Sequence, residues 1–191
     1  MTTHTVTYVT PEEYLAAERL SETRSEYSDG GVYPLTGGTV NHNRITINLI
    51  LELDKQLRPA GCHMHAADLK VRLPGSRKFF YPDVMVICGE LQYHDERRDI
   101  ITNPDLVVEV LSPGTEAFDR GEKFRAYRTI ESLKEYVLVS QDRPLVEQYV
   151  KTGDGRWSLT EAEGLESSLA LPSVGCTLSL GAVYDKVDFN T

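Results

Sequence analysis

Leu106-Val107-Val108-Glu109-Val110-Leu111 is an unbroken aliphatic run with one carboxylate inside it. Such a run fits a central strand covered on both faces, because a strand with one solvated face alternates apolar and polar residues. A second run, Phe79 to Ile87, has the same character and holds Asp83 within Tyr81-Pro82-Asp83-Val84-Met85-Val86-Ile87. A carboxylate among aliphatic side chains must be paired, protonated or bound to metal, since an isolated buried charge is very costly. If the two strands are neighbours, Asp83 and Glu109 converge on one spot. Two adjacent carboxylates repel, so a cation or a lysine must compensate them. Oxygen-only ligands suit Mg2+ or Mn2+, which keep several waters and can bind a substrate phosphate. The competing explanation is a structural salt bridge from Glu109 to Arg125 or Arg128.

Working outward, Ser112-Pro113-Gly114-Thr115 makes a turn and a helix follows to about Thr129. The strand rises ~10 Å from Glu109 to Ser112. A helix starting near Ala117 carries Lys123 ~9 Å back along an antiparallel path, which brings it level with Glu109. Asp119, four residues before Lys123, would equally make that lysine half of a surface ion pair. Further strands are read over 136–140, 145–150 and 156–160, joined by Gln141-Asp142-Arg143 and Gly153-Asp154-Gly155 turns.

On the N-terminal side, Thr10-Pro11-Glu12-Glu13 has the form of a capped helix start, and a hairpin is read from Ser25 to Leu35 around Asp29-Gly30-Gly31. Ile45, Leu49, Leu53 and Leu57 repeat every four residues and mark an amphipathic helix over 42–57. His42 points roughly along its buried stripe and reads as a capping or core histidine, with a site role as the alternative. Asp68 to Leu73 alternates strictly and predicts a half-exposed strand, whereas Gly89 to Pro104 is charged and loop-like. The expected whole is one α/β domain over 1–191 with a central mixed sheet flanked by helices. Its core spans about 10–150, and C-terminal strands and a tail occupy 151–191.

Composition narrows the classes. The chain has 191 residues, 40% hydrophobic and 26% charged, with a net charge of −9. A chain of this size buries roughly 70% of its unfolded surface, so disorder as a whole is excluded. Neither a membrane span nor a signal peptide is visible, and a cytoplasmic protein is the expectation. Cys62, Cys88 and Cys176 are odd in number and far apart, which argues against a disulfide framework or a thiolate zinc cluster. His63-Met64-His65 lacks the further ligands zinc needs. Serine-hydrolase, phosphate-loop and dinucleotide fingerprints are missing. Lys70, Arg72, Arg77 and Lys78 form a basic island, read either as a solvated strand face or as a phosphate-facing patch.

Together these residues resemble a known family. Tyr-Pro-Asp-Val (81–84), Pro-Asp-Leu-Val-Val-Glu-Val-Leu-Ser-Pro (104–113), Asp119, Lys123, Tyr127 and Glu135-Tyr136 are similar to the Uma-two family. That family is a restriction-endonuclease-like branch of the PD-(D/E)XK nuclease superfamily. Glu26-Tyr27-Ser28-Asp29-Gly30 and Asn41-His42 extend the resemblance upstream, so that it covers most of residues 10–150. It implies a restriction-endonuclease-like core with a divalent metal, Mg2+ or Mn2+, held by Asp83 and Glu109. Glu26 is then an additional acid and Lys123 the cationic partner of the attacking water. The chain departs from the wider motif at Leu111, where a lysine is expected, and Lys123 on the following helix takes that place.

The implied activity is metal-dependent hydrolysis of phosphodiester bonds in DNA, with Lys70, Arg72, Arg77 and Lys78 as possible phosphate contacts. The partner is then nucleic acid, with a homodimer through the C-terminal strands as a further expectation. The rival expectation is a catalytically inactive nuclease-like module that binds nucleic acid or a protein partner. The −9 charge opposes tight nonspecific binding to bare DNA.

Overall fold

The computed structural model describes residues 8–189. The Leu106–Val110 strand, β8, is buried along its whole length and lies inside a six-stranded sheet. In chain order the earlier elements are α1 (Pro11–Glu18), β1 (Ser25–Ser28), β2 (Gly31–Pro34), α2 (Val40–Ala60), β3 (Cys62–Ala66), β4 (Lys70–Leu73), β5 (Lys78–Phe80), β6 (Val84–Cys88) and β7 (Ile100–Ile101). After β8 come α3 (Glu116–Phe118), a π-helical segment Asp119–Lys123, α4 (Phe124–Tyr127), β9 (Glu135–Val139), β10 (Leu145–Lys151) and β11 (Trp157–Glu163). A small hairpin, β12 (Ser168–Leu171) and β13 (Cys176–Ser179), and the short α5 (Leu180–Val183) complete the fold.

The large sheet runs β11-β10-β9-β8-β6-β3 and is mixed: β8 pairs parallel with β9 and antiparallel with β6. The smaller sheet runs β2-β1-β5-β4-β7. One face of the large sheet is covered by α2. Ile45, Leu49, Leu53 and Leu57 pack there on Val84, Val86, Val108, Val110, Val137 and Val139, together with residues of β12, β13 and α5. The four-residue spacing makes that stripe, Thr39 caps it by accepting from the His42 amide at 3.0 Å, and Gly61 at φ 68° ends it. On the opposite face Met85, Ile87, Val107, Leu111, Tyr136 and Leu138 meet Val71, Leu73 and Phe80 of the small sheet and Phe124 and Tyr127 of α4. The far side of the small sheet is closed by α1, through Tyr14 stacked on Tyr27 with ring centroids 5.0 Å apart.

Four readings are corrected. The run Phe79 to Ile87 is two strands in different sheets, β5 and β6. Pro82 has no amide hydrogen to give a ladder, and the Tyr81 amide donates to the Glu26 carboxylate at 3.0 Å, so pairing stops there. Lys70 is buried on β4 rather than solvated, its ammonium donating to the Tyr81 hydroxyl at 3.1 Å. Cys62 and Cys88 form a disulfide: they are direct partners in the antiparallel register of β3 and β6, with Cα atoms 4.2 Å apart. Their 26-residue separation hides this in the sequence, because only the register of the sheet makes them opposite. Finally, the charged stretch after Gly89 contains β7, which pairs parallel with β4. Cys176 is a buried free thiol. Among the described residues no helix is long and apolar enough to cross a membrane.

Candidate active site

Three elements bring acids to one place. Glu109 turns from β8 toward the small sheet, because its neighbours Val108 and Val110 turn toward α2. Asp83 stands just before β6. The register Val84 to Val108, continued by one residue, sets it opposite Glu109, and its Oδ2 accepts from the Val110 amide at 2.7 Å. Glu26 reaches in from β1, on the strand face opposite Tyr27.

Lys123 enters from the helix that follows β8. Its Nζ lies 2.9 Å from Glu109 Oε1, 3.4 Å from Glu26 Oε1 and 3.4 Å from Asp119 Oδ1. Asp119 and Lys123 bracket the π-helical segment, a local widening found often at functional sites. All four side chains are buried. Tyr127 adds a hydroxyl that donates to Glu109 Oε1 at 3.2 Å. The ammonium also lies 5.7 Å from the centroid of the Phe80 ring. The cluster meets solvent at Asp83 and at His42, whose Nε2 is 3.3 Å from Asp83 Oδ2.

One ammonium faces three carboxylates, so the charges do not cancel. Burial pushes the Glu109 carboxyl well above the usual range, and Asp119, Asp83 and Glu26 add to this against the pull of Lys123. Burial would lower Lys123, but the carboxylates outweigh it, Glu109 first, and hold the ammonium charged. The hydrogen bond to Asp83 raises the His42 imidazole despite its burial. Burial also drives the Tyr127 phenol well above its ordinary value.

The donor set fits a hard divalent cation. Asp83 Oδ1 and Glu109 Oε2 make no hydrogen bond among the described residues, while Oδ2 and Oε1 are engaged. Among those residues no group of three His, Cys, Asp or Glu side chains could hold a metal ion, so the protein would supply two ligands. Two carboxylates completed by waters and a substrate phosphate are the arrangement Mg2+ uses.

The structure therefore gathers Glu26, Asp83, Glu109 and Lys123, as expected, and excludes a Glu109 pairing with Arg125 or Arg128 in favour of Lys123. Leu111 is buried apolar core and has no part in the cluster. The basic island does not act as a unit. Besides the buried Lys70, Lys78 is tied to Asp29 at 2.8 Å and to the Ser28 hydroxyl at 2.7 Å. Arg72 and Arg77 line a cavity on the other face of the small sheet. His42, a capping or core residue by its spacing with a site role as the alternative, touches Asp83. Its place in Asn41-His42 at the first turn of a helix was the signal in the sequence, and the docking of α2 on β6 decides the contact.

Comparison with known proteins agrees with this architecture. The Uma2 family, described as "Putative restriction endonuclease", matches residues 11–181. The chain is 39% identical over 164 residues to the uncharacterized protein sll1609 of Synechocystis sp. (strain ATCC 27184 / PCC 6803 / Kazusa), covering 86% of this chain and 93% of that protein. It is 35% identical over 181 residues to the uncharacterized protein slr1290 of the same organism, covering 95% and 94%. Its fold is similar to the crystal structure of "a putative nuclease belonging to DUF820" from Anabaena variabilis ATCC 29413. The TM-score is 0.74 and the identity 17%, over 92% of this chain and 97% of that one. With nearly the whole α/β domain matched, the chain belongs to the Uma2 family.

Proposed function

We propose that the chain is a divalent-metal-dependent endonuclease that hydrolyses phosphodiester bonds in DNA. The observation that carries this reading is Lys123, buried within 3.4 Å of three carboxylates, one of them Glu109, which the β6–β8 register sets opposite Asp83. Stability alone would be served better by apolar residues of similar size, because ions buried together rarely repay their desolvation. Asp83 and Glu109 would hold Mg2+ or Mn2+. When bound, the ion polarises the phosphoryl oxygen and lowers the pKa of a bound water. Lys123 donates to the attacking oxygen or to the charge that develops on the phosphorane, and it sits in a site dry enough to make that contact strong. Glu26 and Asp119 hold the ammonium in place, Tyr127 orients Glu109, and His42 with the Val110 amide orients Asp83.

The test is an assay of supercoiled and linear DNA with Mg2+ or Mn2+, comparing the wild type with Glu109→Gln and Lys123→Gln. Cleavage indifferent to both changes would sink the assignment. One observation favours a second reading, a non-catalytic nuclease-like module that binds nucleic acid or a protein: Lys123 already occupies the centre of the acids. Calorimetric titration with Mg2+ or Mn2+ separates the two. Binding that vanishes in Asp83→Asn and Glu109→Gln supports the nuclease, and absence of any such binding supports the module.

A further inference from the structure

A cavity of about 960 Å3 lies between α1, the β4–β5 hairpin and the segment around His94 and Arg97. Strand alternation sets its position. Val71, Leu73 and Phe80 turn toward the carboxylate cluster, so Arg72 and Phe79 turn toward α1. None of Glu26, Asp83, Glu109 or Lys123 lines it. Its floor includes Leu15, Ala16 and Phe79, and four arginines, Arg19, Arg72, Arg77 and Arg97, surround that floor.

These arginines are not equivalent. Arg19 is neutralised, its guanidinium lying 2.6 Å from Asp95 and 2.8 Å from Asp99. Arg72, Arg77 and Arg97 have no ion pair among the described residues, although the chain carries a net charge of −9. Arg77 donates to the Tyr8 hydroxyl at 2.6 Å and stacks over the Tyr8 ring at 5.6 Å from its centroid. Tyr8 as a residue is 50% exposed, but its ring also packs against Gly30, where a Cβ would come within 2.2 Å of it. The cavity thus sets arginines without ion pairs beside two acids, Glu12 and Asp95, of which Asp95 is already paired with Arg19.

Guanidinium forks match phosphate oxygens, and a positively charged groove can track the backbone of a single strand. The chain has no glycine-rich loop to cradle a polyphosphate. Single phosphodiesters met one at a time by side chains suit this site better. We infer that the cleft is a second nucleic-acid site, in which Arg72, Arg77 and Arg97 bind the phosphates of a single strand and Tyr8 holds the Arg77 guanidinium in place. Its role as an added hold on the substrate rests on the nuclease reading. The binding itself does not, because the cleft and the carboxylate cluster are separated by the small sheet.

The experiment is fluorescence anisotropy of the full chain with a labelled single-stranded oligothymidylate in EDTA, which silences any metal-held contact. The double variant Arg72→Gln/Arg97→Gln should bind roughly tenfold more weakly or worse. The slope of log affinity against log salt should become shallower by about 1.4, the value for two phosphate contacts on a single strand. Lys55→Gln, which removes an exposed positive charge on α2, should bind like the wild type. Arg97→Glu alone, at an exposed loop position, should weaken binding if the double variant misfolds. No binding by the wild type, or equal binding by the arginine variants, overturns the inference. Displacement by an equal concentration of thymidine 5′-monophosphate would overturn it too, assigning the cleft to a free nucleotide. Binding that depends on the arginines without any cleavage keeps this site and loses the nuclease. Cleavage without arginine-dependent binding does the reverse.

Discussion

Glu109 and Glu135 are both buried glutamates, on the adjacent parallel strands β8 and β9, and they face opposite sides of one sheet. Glu135 turns toward the α2 side. There it accepts from the Ser173 amide at 3.1 Å and the Ser173 hydroxyl at 2.5 Å, and it is bonded to the Gln148 amide. Its partners are neutral donors, and they tie the C-terminal hairpin region to the main sheet. Burial raises its carboxyl, and the Ser173 and Gln148 hydrogen bonds partly offset this. Glu109 instead shares one ammonium with two other acids, next to a third at Asp83. Burial by itself does not distinguish a structural carboxylate from a chemical one. The distinguishing feature is whether the neighbours satisfy the charge or compete for it.

That contrast can be broken in several ways. Replacing Lys123 by methionine leaves the acids uncompensated and should cost about 3–5 kcal/mol, read by denaturant unfolding. Any DNA cleavage should fall by about a hundredfold or more, as when one charge-stabilising donor is lost. A fully active Lys123→Met protein would place the chemistry elsewhere. Replacing Glu135 by leucine strands the Ser173 and Gln148 donors, at a cost of about 1–3 kcal/mol. Cleavage per folded molecule should stay at the wild-type level. If Glu135→Leu abolished cleavage while the fold survived, the two glutamates would not differ as described.

The pH dependence of stability is the third test. Glu109 is raised well above its ordinary value of 4.5 in the folded protein. The folded state therefore keeps a proton that the unfolded chain releases, and the contribution of Glu109 to stability is fully present below 4.5 and is lost as pH rises from there to the folded value. The slope for one proton is at most about 1.4 kcal/mol per pH unit. Glu109→Gln should flatten the metal-free curve and leave a smaller decline of the same sign from Glu135. A curve unchanged by Glu109→Gln would mean that the Glu109 carboxyl keeps its ordinary value in the folded protein, and a decline that steepened would mean that it is ionised beside Lys123. Smallest of all, Tyr127→Phe removes one hydrogen bond to Glu109 and should cost about 1 kcal/mol, with cleavage reduced but not abolished.

Local pattern alone was enough for several features. The capping box at Thr10, the stripe of α2, the hairpin at Asp29-Gly30 and the burial of β8 all follow from spacing within one element. Lys123 was reachable because strand rise and helix rise are fixed lengths. Features that join distant segments were not reachable in the same way. Lys70 alternates correctly for an exposed face, yet α1 covers that face and Tyr81 receives its ammonium. Phe79 to Ile87 looks continuous in hydrophobicity, while Glu26 and Pro82 divide it between two sheets. The C-terminal strands β12 and β13 are short and weakly patterned, and they are held by packing on α2.

The sequence by itself determined that a carboxylate stands within a buried strand and that a lysine returns beside it, because both follow from periodicity and from the lengths of short segments. Only the tertiary structure decided that Glu26 and Asp119 share that lysine, that His42 touches Asp83 and that Cys62 faces Cys88. It also decided that the basic island divides between a buried lysine, an ion pair and a separate cleft. Each of these depends on the register and docking of elements far apart in the chain. The many weak contacts that set such docking leave no local signature.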